Sequence, residues 1–342
     1  MLTPRILLPR VWRQKRHPLG YLLAPLSWPF CLAVSMRRFA YAKRFLPARH
    51  PGIPVIVVGN ISAGGTGKTP LVIRLAKLLR GRFRPAIVAR GYGGKARHWP
   101  QRVEADSDPY LVGDEAVLLA RRTACPVFAA PDRVVAIEAS MEATDCNLIL
   151  CDDGLQHYAL ARDLEIAVVD GVLGHGNGRC LPAGPLREPV SRLATVDFVV
   201  RNTPARDLAS DSECNEGEYA MRLIPGAPRN VADERAESLD AFRGSPVHAV
   251  CGIGHPERFF ATLRQLDLAI RPHAFPDHHA FTPDELAFGD DLPIFMTEKD
   301  AVKCRRFAEP RHWCLPVEAE WRPAFETRLL EALFRIESSR VS

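Results

Sequence analysis

Apolar residues along this chain gather in short runs set apart by glycine, proline and charged positions. The runs Val55–Val58, Ala86–Ala89, Leu148–Cys151, Ile166–Val169 and Phe198–Val200 predict strands. Helical patterns, the clearest at Leu71–Leu79, or long loops lie between several of them, and that alternation predicts a largely parallel sheet flanked by helices. From about 203 to 244 the periodicity fades and Pro, Glu, Asp and Ser accumulate, as in a linker or a surface excursion. Beyond it, Val247–Cys251, a helix pattern at Phe259–Leu266, Ile294–Met296 and Trp313–Val317 predict a second, smaller α/β domain. The chain thus divides into a segment at 1–45, an α/β core at 46–205, a linker or excursion at 206–244 and a second domain at 245–342, with no internal repeat. A length of 342 residues suffices for two such cores.

Charge changes the picture at the amino-terminal end. The net +5 is unremarkable, but no Asp or Glu precedes Glu104, and that stretch holds 20 Lys and Arg. Such an end faces something anionic: nucleic acid, a phospholipid surface or an acidic substrate. Its apolar content decides among them. Between Arg10, Arg13, Lys15 and Arg16 on one side and Arg37, Arg38, Lys43 and Arg44 on the other, Pro18 to Met36 carries Tyr21, Leu22, Leu23, Leu26, Trp28, Phe30, Leu32 and Val34 and no charge. The run barely reaches spanning length and contains Pro18, Pro25 and Pro29. Positive residues on both flanks favour one cytoplasmic face. The segment reads either as a membrane-associating, partly helical stretch lying on the anionic inner leaflet, where each basic residue adds about 1 kcal/mol, or as an ordinary amphipathic helix packed on the domain. Nucleic acid is not the expected partner. The nine cysteines form no Cys-x-x-Cys pair and show no regular spacing, which suits a reducing cytoplasm and supports no zinc site.

The strongest chemical signal follows the first strand. Ser62-Ala63-Gly64-Gly65-Thr66-Gly67-Lys68-Thr69 leads from Val55–Val58 into the helix pattern at Leu71, the order strand, glycine loop, Lys-Thr, helix that cradles a nucleoside triphosphate. Glycines let successive N–H groups point at phosphate, Lys68 reaches the β- and γ-oxygens, and the Thr69 hydroxyl suits magnesium. Ser62 stands where the general pattern has glycine.

A triphosphate enzyme also needs a carboxylate at a strand end, and Leu148-Ile149-Leu150-Cys151-Asp152-Asp153-Gly154 supplies two. Neighbouring side chains on an extended segment point to opposite sides, so Asp152 and Asp153 should have different jobs. One ligates the metal, and the other orients Thr69, a water or a donor. Asp114, ahead of the apolar pattern Ala116–Leu119, fits two roles: helix N-cap and catalytic base. His278, within Phe275-Pro276-Asp277-His278-His279, fits as the partner of a carboxylate. Gly174-His175-Gly176-Asn177-Gly178 and Leu181-Pro182-Ala183-Gly184-Pro185-Leu186-Arg187-Glu188 read either as a loop that closes over phosphates and presents Arg187, or as a plain Ω-loop. Arg90-Gly91-Tyr92-Gly93-Gly94-Lys95 follows the second strand, at the edge where open α/β sheets bind ligands; there Arg90 and Lys95 meet an anionic acceptor or lie in a solvated turn. Thr297-Glu298-Lys299-Asp300 also follows a strand, with no ligand implied by its residues.

Together, the phosphate loop, Arg90-Gly91-Tyr92-Gly93-Gly94, Gly113-Asp114-Glu115, Asp152-Asp153-Gly154-Leu155-Gln156-His157, Leu181 to Glu188, Asp277-His278 and Thr297 to Asp300 resemble the tetraacyldisaccharide 4′-kinase family of lipid A biosynthesis over roughly residues 50 to 305. The resemblance implies a P-loop NTPase-type fold and a cytoplasmic enzyme on the bacterial inner membrane. Such an enzyme uses ATP and Mg2+ to phosphorylate the 4′-hydroxyl of a lipid A disaccharide precursor. Carried onto matching positions, Lys68 and Thr69 hold phosphates and magnesium, Asp152 and Asp153 organise the metal, and Asp114 is the base with His278 as partner. Arg187 and Glu188 are lid or active-site groups, and Tyr92 and His157 neighbour substrate or nucleotide.

Two other readings compete. A membrane-associated P-loop ATPase switch commonly carries a second lysine just before the Gly-Gly pair, where this chain has Ala63. A guanine-nucleotide switch would show Asn-Lys-x-Asp after a late strand, which is missing here. A lipid-binding module that uses ATP only structurally would show no turnover. No obligate protein partner is evident in the sequence.

Overall fold

Val55 and Val57 point to one side of their strand and Ile56 and Val58 to the other, and all four are fully buried. A strand buried on both faces belongs to the middle of a sheet with helices above and below. The computed structural model, which describes residues 11–204 and 217–341, has that arrangement. After a long helix, α1 (Pro18–Ala42), come β1 (Val55–Gly59), α2 (Lys68–Leu79), β2 (Pro85–Ala89), β3 (Gln101–Val103) and α3 (Asp114–Thr123). Next are β4 (Val127–Ala129), α4 (Arg133–Ala143), β5 (Leu148–Asp152), β6 (Leu164–Asp170), β7 (Phe198–Asn202) and β8 (Glu218–Pro225). The second half adds β9 (Arg229–Asn230), β10 (Pro246–Cys251), α5 (Pro256–Gln265), β11 (Ala269–Ala274), β12 (Ile294–Thr297) and α6 (Glu298–Cys304). It closes with β13 (His312–Leu315), β14 (Val317–Trp321) and α7 (Pro323–Val341).

The larger sheet has nine strands in the order β14-β8-β7-β6-β1-β5-β2-β4-β3, antiparallel only at its two edges. On one face Leu71, Leu75 and Leu79 of α2 pack with Ile56, Ile87 and Leu150; on the other Ala136 and Ile137 of α4 meet Val55, Val88 and Ile149. Each such buried aliphatic side chain contributes about 1.5–3 kcal/mol. The smaller sheet, β11-β10-β12-β13-β9, is parallel except for β9. The α/β class, the parallel sheet and the second, smaller sheet all match the sequence pattern.

Two boundaries differ. The expected linker at 206–244 contains β8, which pairs with β7 and β14 in the large sheet, and β9, which belongs to the small one. In β8 only Met221 is fully buried, so its apolar signal in the sequence was weak. The run Trp313–Val317 is two strands, not one, because Pro316 separates β13 in the small sheet from β14 in the large one. The second domain therefore does not reach residue 342: Phe325, Leu329 and Leu333 of α7 return to the core under the large sheet.

The apolar segment forms a continuous helix through Pro25 and Pro29. It lies against the body of the protein at several levels. Arg179 donates from its guanidinium to Gly20 O (2.7 Å), Ser27 Oγ donates to Cys180 O (2.8 Å) and the Tyr41 ring lies 6.0 Å from that of Tyr158. Its outer face exposes Tyr21, Leu22, Leu26, Trp28, Leu32, Met36 and Phe39. Spacing gave no reason to pair Cys31 with Cys180, yet the fold brings them within reach of a disulfide, with Cα atoms 6.3 Å apart.

One buried ion pair holds the base of the smaller sheet. Asp300 Oδ1 lies 2.7 Å from Lys303 Nζ, while Oδ2 accepts Thr297 Oγ1 (2.6 Å) and the Gly252 N–H (3.0 Å). Asp300→Ala leaves a buried ammonium without its nearest counter-charge, at a cost of about 3 kcal/mol. The expected result is a clear drop in thermal midpoint, only partly restored in Asp300→Leu/Lys303→Met, which leaves no charge unpaired but deprives the Gly252 N–H and the Thr297 hydroxyl of their acceptor.

Candidate active site

Both sheets end their parallel strands at a common seam. Asn60, Arg90, Asp153 and Asn202 lie at the carboxyl ends of β1, β2, β5 and β7; Gly252, His278 and Lys299 follow β10, β11 and β12. Ligands bind at this edge of open α/β sheets. Contacts across the seam join the two: Arg258 of α5 to Asp170 (2.8 Å), His278 to Asp114 (3.1 Å) and Lys299 to Glu115 (3.1 Å).

The loop Ser62 to Thr69 joins the end of β1 to the start of α2. Gly67, at φ +96°, caps α2 in a conformation that an L side chain rarely adopts, and a Cβ there would come within 2.8 Å of Asn202 Nδ2. Two asparagines support it: Asn60, which opens the loop segment, and Asn202, for which the sequence gave no role. Asn202 Nδ2 donates to Thr66 O (3.0 Å), and Asn60 Nδ2 lies 3.3 Å from both Gly64 O and Thr66 Oγ1. A polar residue closing each apolar strand was the available signal. On the open side, Ala63 N donates to Pro185 O (2.7 Å) and Arg187 N to Ile61 O (2.7 Å), so the Gly/Pro loop is stitched to the phosphate loop.

The two aspartates do have different partners. Asp153, itself at φ +52°, faces Lys68 Nζ at 3.3 Å and Arg187 at 3.2 Å. Burial pushes its pKa up, but Lys68 and Arg187 outweigh that and hold it at about 2. Asp152 points the other way: Oδ2 accepts Thr69 Oγ1 (3.3 Å), and Oδ1 is buried with no hydrogen-bond partner. Burial, then Glu115, raises its pKa despite Lys68. A buried carboxylate oxygen beside a hydroxyl, destabilised by other acids, fits a hard cation. No cluster of three His, Cys, Asp or Glu ligands occurs among the described residues, and a magnesium that keeps waters and phosphate oxygens needs none. Of the expected metal ligands Thr69, Asp152 and Asp153, the first two lie together, and Asp153 is paired with Lys68 and Arg187.

Asp114 is buried at 4% exposure and begins α3 directly after Gly113, the cap residue at φ +95°. The carboxylate is not the cap itself: Oδ1 accepts its neighbour's N–H at Glu115 (2.8 Å), and Oδ2 lies 3.1 Å from His278 Nδ1 and 4.0 Å from Lys303 Nζ. Burial raises its pKa, but the hydrogen bond with His278 and the charges of Lys299, His278 and Lys303 prevail and hold it below the usual carboxylate range. His278, at φ +59°, is shifted upward because Asp114 outweighs burial and Lys299. Left-handed non-glycine residues at both Asp153 and His278 mark backbone strain at the site.

Other expected site residues fall at varying distance. Tyr92, 55% exposed, holds its ring 4.8 Å from that of His278 at a tilt of 53°, with the Arg90 guanidinium 5.9 Å from the tyrosine ring. Lys95 is exposed on the same loop, its N–H bonded to Tyr110 O. His157 does not join the dyad: its Nε2 lies 3.3 Å from Asp132 Oδ1, at the start of α4. Glu188, expected among the catalytic groups, is 1% exposed and already engaged by Gln156 Nε2 (2.6 Å), the Tyr158 hydroxyl and Arg192. With its oxygens so occupied, it braces the loop that carries Arg187, and its partner Gln156 also donates to Asn60 O (3.0 Å).

Comparison with known proteins gives the family. The family profile of LpxK, tetraacyldisaccharide-1-P 4′-kinase, matches residues 19–334. A tetraacyldisaccharide 4′-kinase of Nitrosococcus oceani is 51% identical over 325 residues, covering 95% of this chain and 93% of that one. One from Alkalilimnicola ehrlichii is 50% identical, covering 97% and 98%. A crystal structure of LpxK from Aquifex aeolicus in complex with ATP superposes with a TM-score of 0.79 at 29% identity, over 93% of this chain and 99% of the other.

Proposed function

The chain belongs to the tetraacyldisaccharide-1-P 4′-kinase family, and on that premise we propose that it transfers the γ-phosphoryl of ATP to the 4′-hydroxyl of a tetraacyldisaccharide 1-phosphate in lipid A biosynthesis. The observation that carries the reading is the meeting, at one seam, of a phosphate loop from the large sheet with an Asp114–His278 pair bridging the two sheets. A switch ATPase has no need of a buried carboxylate held ionised beside its phosphate site.

The chemistry follows from the groups present. Loop amides and Lys68 hold the triphosphate, while Thr69 and Asp152 would hold magnesium, whose charge offsets that of the β- and γ-oxygens. Arg187 stands ready to meet the transferred group once nucleotide competes for Lys68. As the acceptor oxygen bonds to the γ-phosphorus and the bond to ADP breaks, the 4′-hydroxyl proton passes to the Asp114 carboxylate. Arg90, Tyr92 and Lys95 line the approach for an anionic sugar.

The outward apolar face of α1 and its basic flanks support attachment to an anionic inner leaflet. The helix is long and apolar enough to cross a bilayer, yet Gly20, Ser27 and Tyr41 all touch the protein body. Those contacts span most of its length, about 1.5 Å per residue, and support a helix lying in the interface on the cytoplasmic side.

The test is transfer of label from γ-labelled ATP to a detergent-dispersed acceptor, with and without EDTA, and product analysis at the 4′ position. ATP hydrolysis independent of the lipid would favour the switch. The pH profile supplies a further expectation. Activity requires ionised Asp114, whose pKa is depressed, so the acid limb of kcat/KM lies below the ordinary carboxylate range. In His278→Ala the hydrogen bond is gone and burial counts for more, so the limb moves toward neutral pH and kcat/KM falls roughly 10²-fold.

A further inference from the structure

The segment Thr297-Glu298-Lys299-Asp300 carried no assignable ligand in the sequence. In the structure Thr297 caps α6, Asp300 is the buried acid described above, and Glu298 pairs with Arg122 and accepts the Val317 N–H (3.0 Å). Three of the four therefore hold the fold together. Lys299 is different. Its Nζ reaches over the seam to lie 3.2 Å from His278 Nε2, 3.1 Å from Glu115 Oε1 and 3.6 Å from Asp277 Oδ1.

Burial works against its charge, but Glu115, Asp114 and Asp277 more than compensate, so its pKa is raised. Lys299 is thus an ammonium at any working pH, and an ammonium only donates. An imidazole nitrogen facing a donor must offer a lone pair. Nε2 is then unprotonated, and the single ring proton of neutral His278 sits on Nδ1, the atom 3.1 Å from Asp114 Oδ2.

We propose that Lys299 is a positioning residue for phosphoryl transfer: by donating to His278 Nε2 it fixes the Nδ1–H tautomer, the neutral form that can donate to Asp114. The proposal rests on the reading of Asp114 as base. It adds that the base is oriented through a chain of two hydrogen bonds that starts on the smaller sheet, so the catalytic group is complete only when both sheets meet. The charged and titratable groups around the imidazole are Asp114 and Glu115 on α3, Asp277 beside it, Lys299 and Lys303 on α6, and Tyr92 with Arg90 from the loop after β2.

A double-mutant cycle separates this role from that of a simple clamp. Lys299→Met should lower kcat on the order of 10- to 100-fold, the scale for groups that orient a functional imidazole from behind, with KM for ATP unchanged. In a His278→Ala background the same substitution should cost less than about twofold, since no imidazole remains to orient. Imidazole 15N spectra should show His278 leaving the fixed Nδ1–H form in Lys299→Met. The ring should also titrate at higher pH, because a cation opposing its protonation has gone. Lys299→Arg, which keeps a donor, should retain most of the activity and the tautomer. If Lys299→Met does not fold, Lys299→Gln, too short to reach Nε2, takes its place. A full loss that persists in the His278→Ala background and is reproduced by Glu115→Gln would overturn the proposal and make Lys299 a clamp between the sheets. Full turnover in Asp114→Asn would instead overturn the reading of the base, whatever the cycle gives.

Discussion

Asp114→Asn is expected to lower kcat by about 10²- to 10⁴-fold while leaving KM for ATP nearly unchanged. The substitution preserves shape and removes the only function the carboxylate has in the reaction, acceptance of the hydroxyl proton. The lower half of that range is the better expectation, because phosphoryl transfer depends more on positioning and charge than on the base. Asp114→Ala is a harsher test. The side chain is buried with Lys303 4.0 Å away and is hydrogen-bonded to His278, so its removal also leaves cationic groups short of a partner. A lowered melting temperature should accompany the loss of activity in Ala and be smaller in Asn. Steady-state kinetics with the lipid acceptor, alongside thermal unfolding of each variant, decides the matter. Loss of ATP binding in Asp114→Asn would place this residue in the nucleotide site and not at the acceptor.

Lys68→Met should be more damaging, roughly 10³-fold in kcat, with a rise in KM for ATP as well. Its ammonium is held 3.3 Å from Asp153 when no nucleotide competes, and that carboxylate is kept at a pKa of about 2 by Lys68 first and Arg187 second. Methionine keeps the stem and removes the charge, which leaves Asp152 and Asp153 beside the incoming polyphosphate with Arg187 as the counter-charge of Asp153. The repulsion should appear in binding of a non-hydrolysable ATP analogue, measured by calorimetry, and ease at low pH as Asp153 gains a proton at a higher pKa than before. Lys68→Arg is not expected to rescue turnover, since a planar guanidinium does not fit a point contact between β- and γ-oxygens. Wild-type affinity for the analogue in Lys68→Met would place the triphosphate elsewhere.

Much of the fold and the core of the site could be read from the chain. Ser62 to Thr69 is a contiguous segment whose backbone does the binding, so its signal survives without knowledge of anything distant. The strand before Asp152 and the helix after Asp114 are equally local. Less legible were β8, whose residues are mostly half-buried and lack a clear period, and the change of sheet at Pro316, where one apolar run feeds two different cores. The roles of Asp152 and Asp153 could be told apart in kind, because neighbours on a strand face opposite ways, but not assigned. The fold gives Lys68 and Arg187 to Asp153 and Thr69 to Asp152, and Arg187 arrives from a loop 34 positions later in the chain.

The sequence by itself determined the phosphate cradle, the parallel α/β class and the apolar basic helix, since each depends on residues close together and on periods of two or 3.6. Only the tertiary structure decided which partners Asp152 and Asp153 each have, that Glu188 is buried, and that Lys299 reaches Glu115 and His278, 184 and 21 positions away. The physical reason is that hydrogen bonds and ion pairs act over about 3 Å in space and are blind to separation along the chain. Residues at the ends of two different sheets become one site only after both sheets have packed.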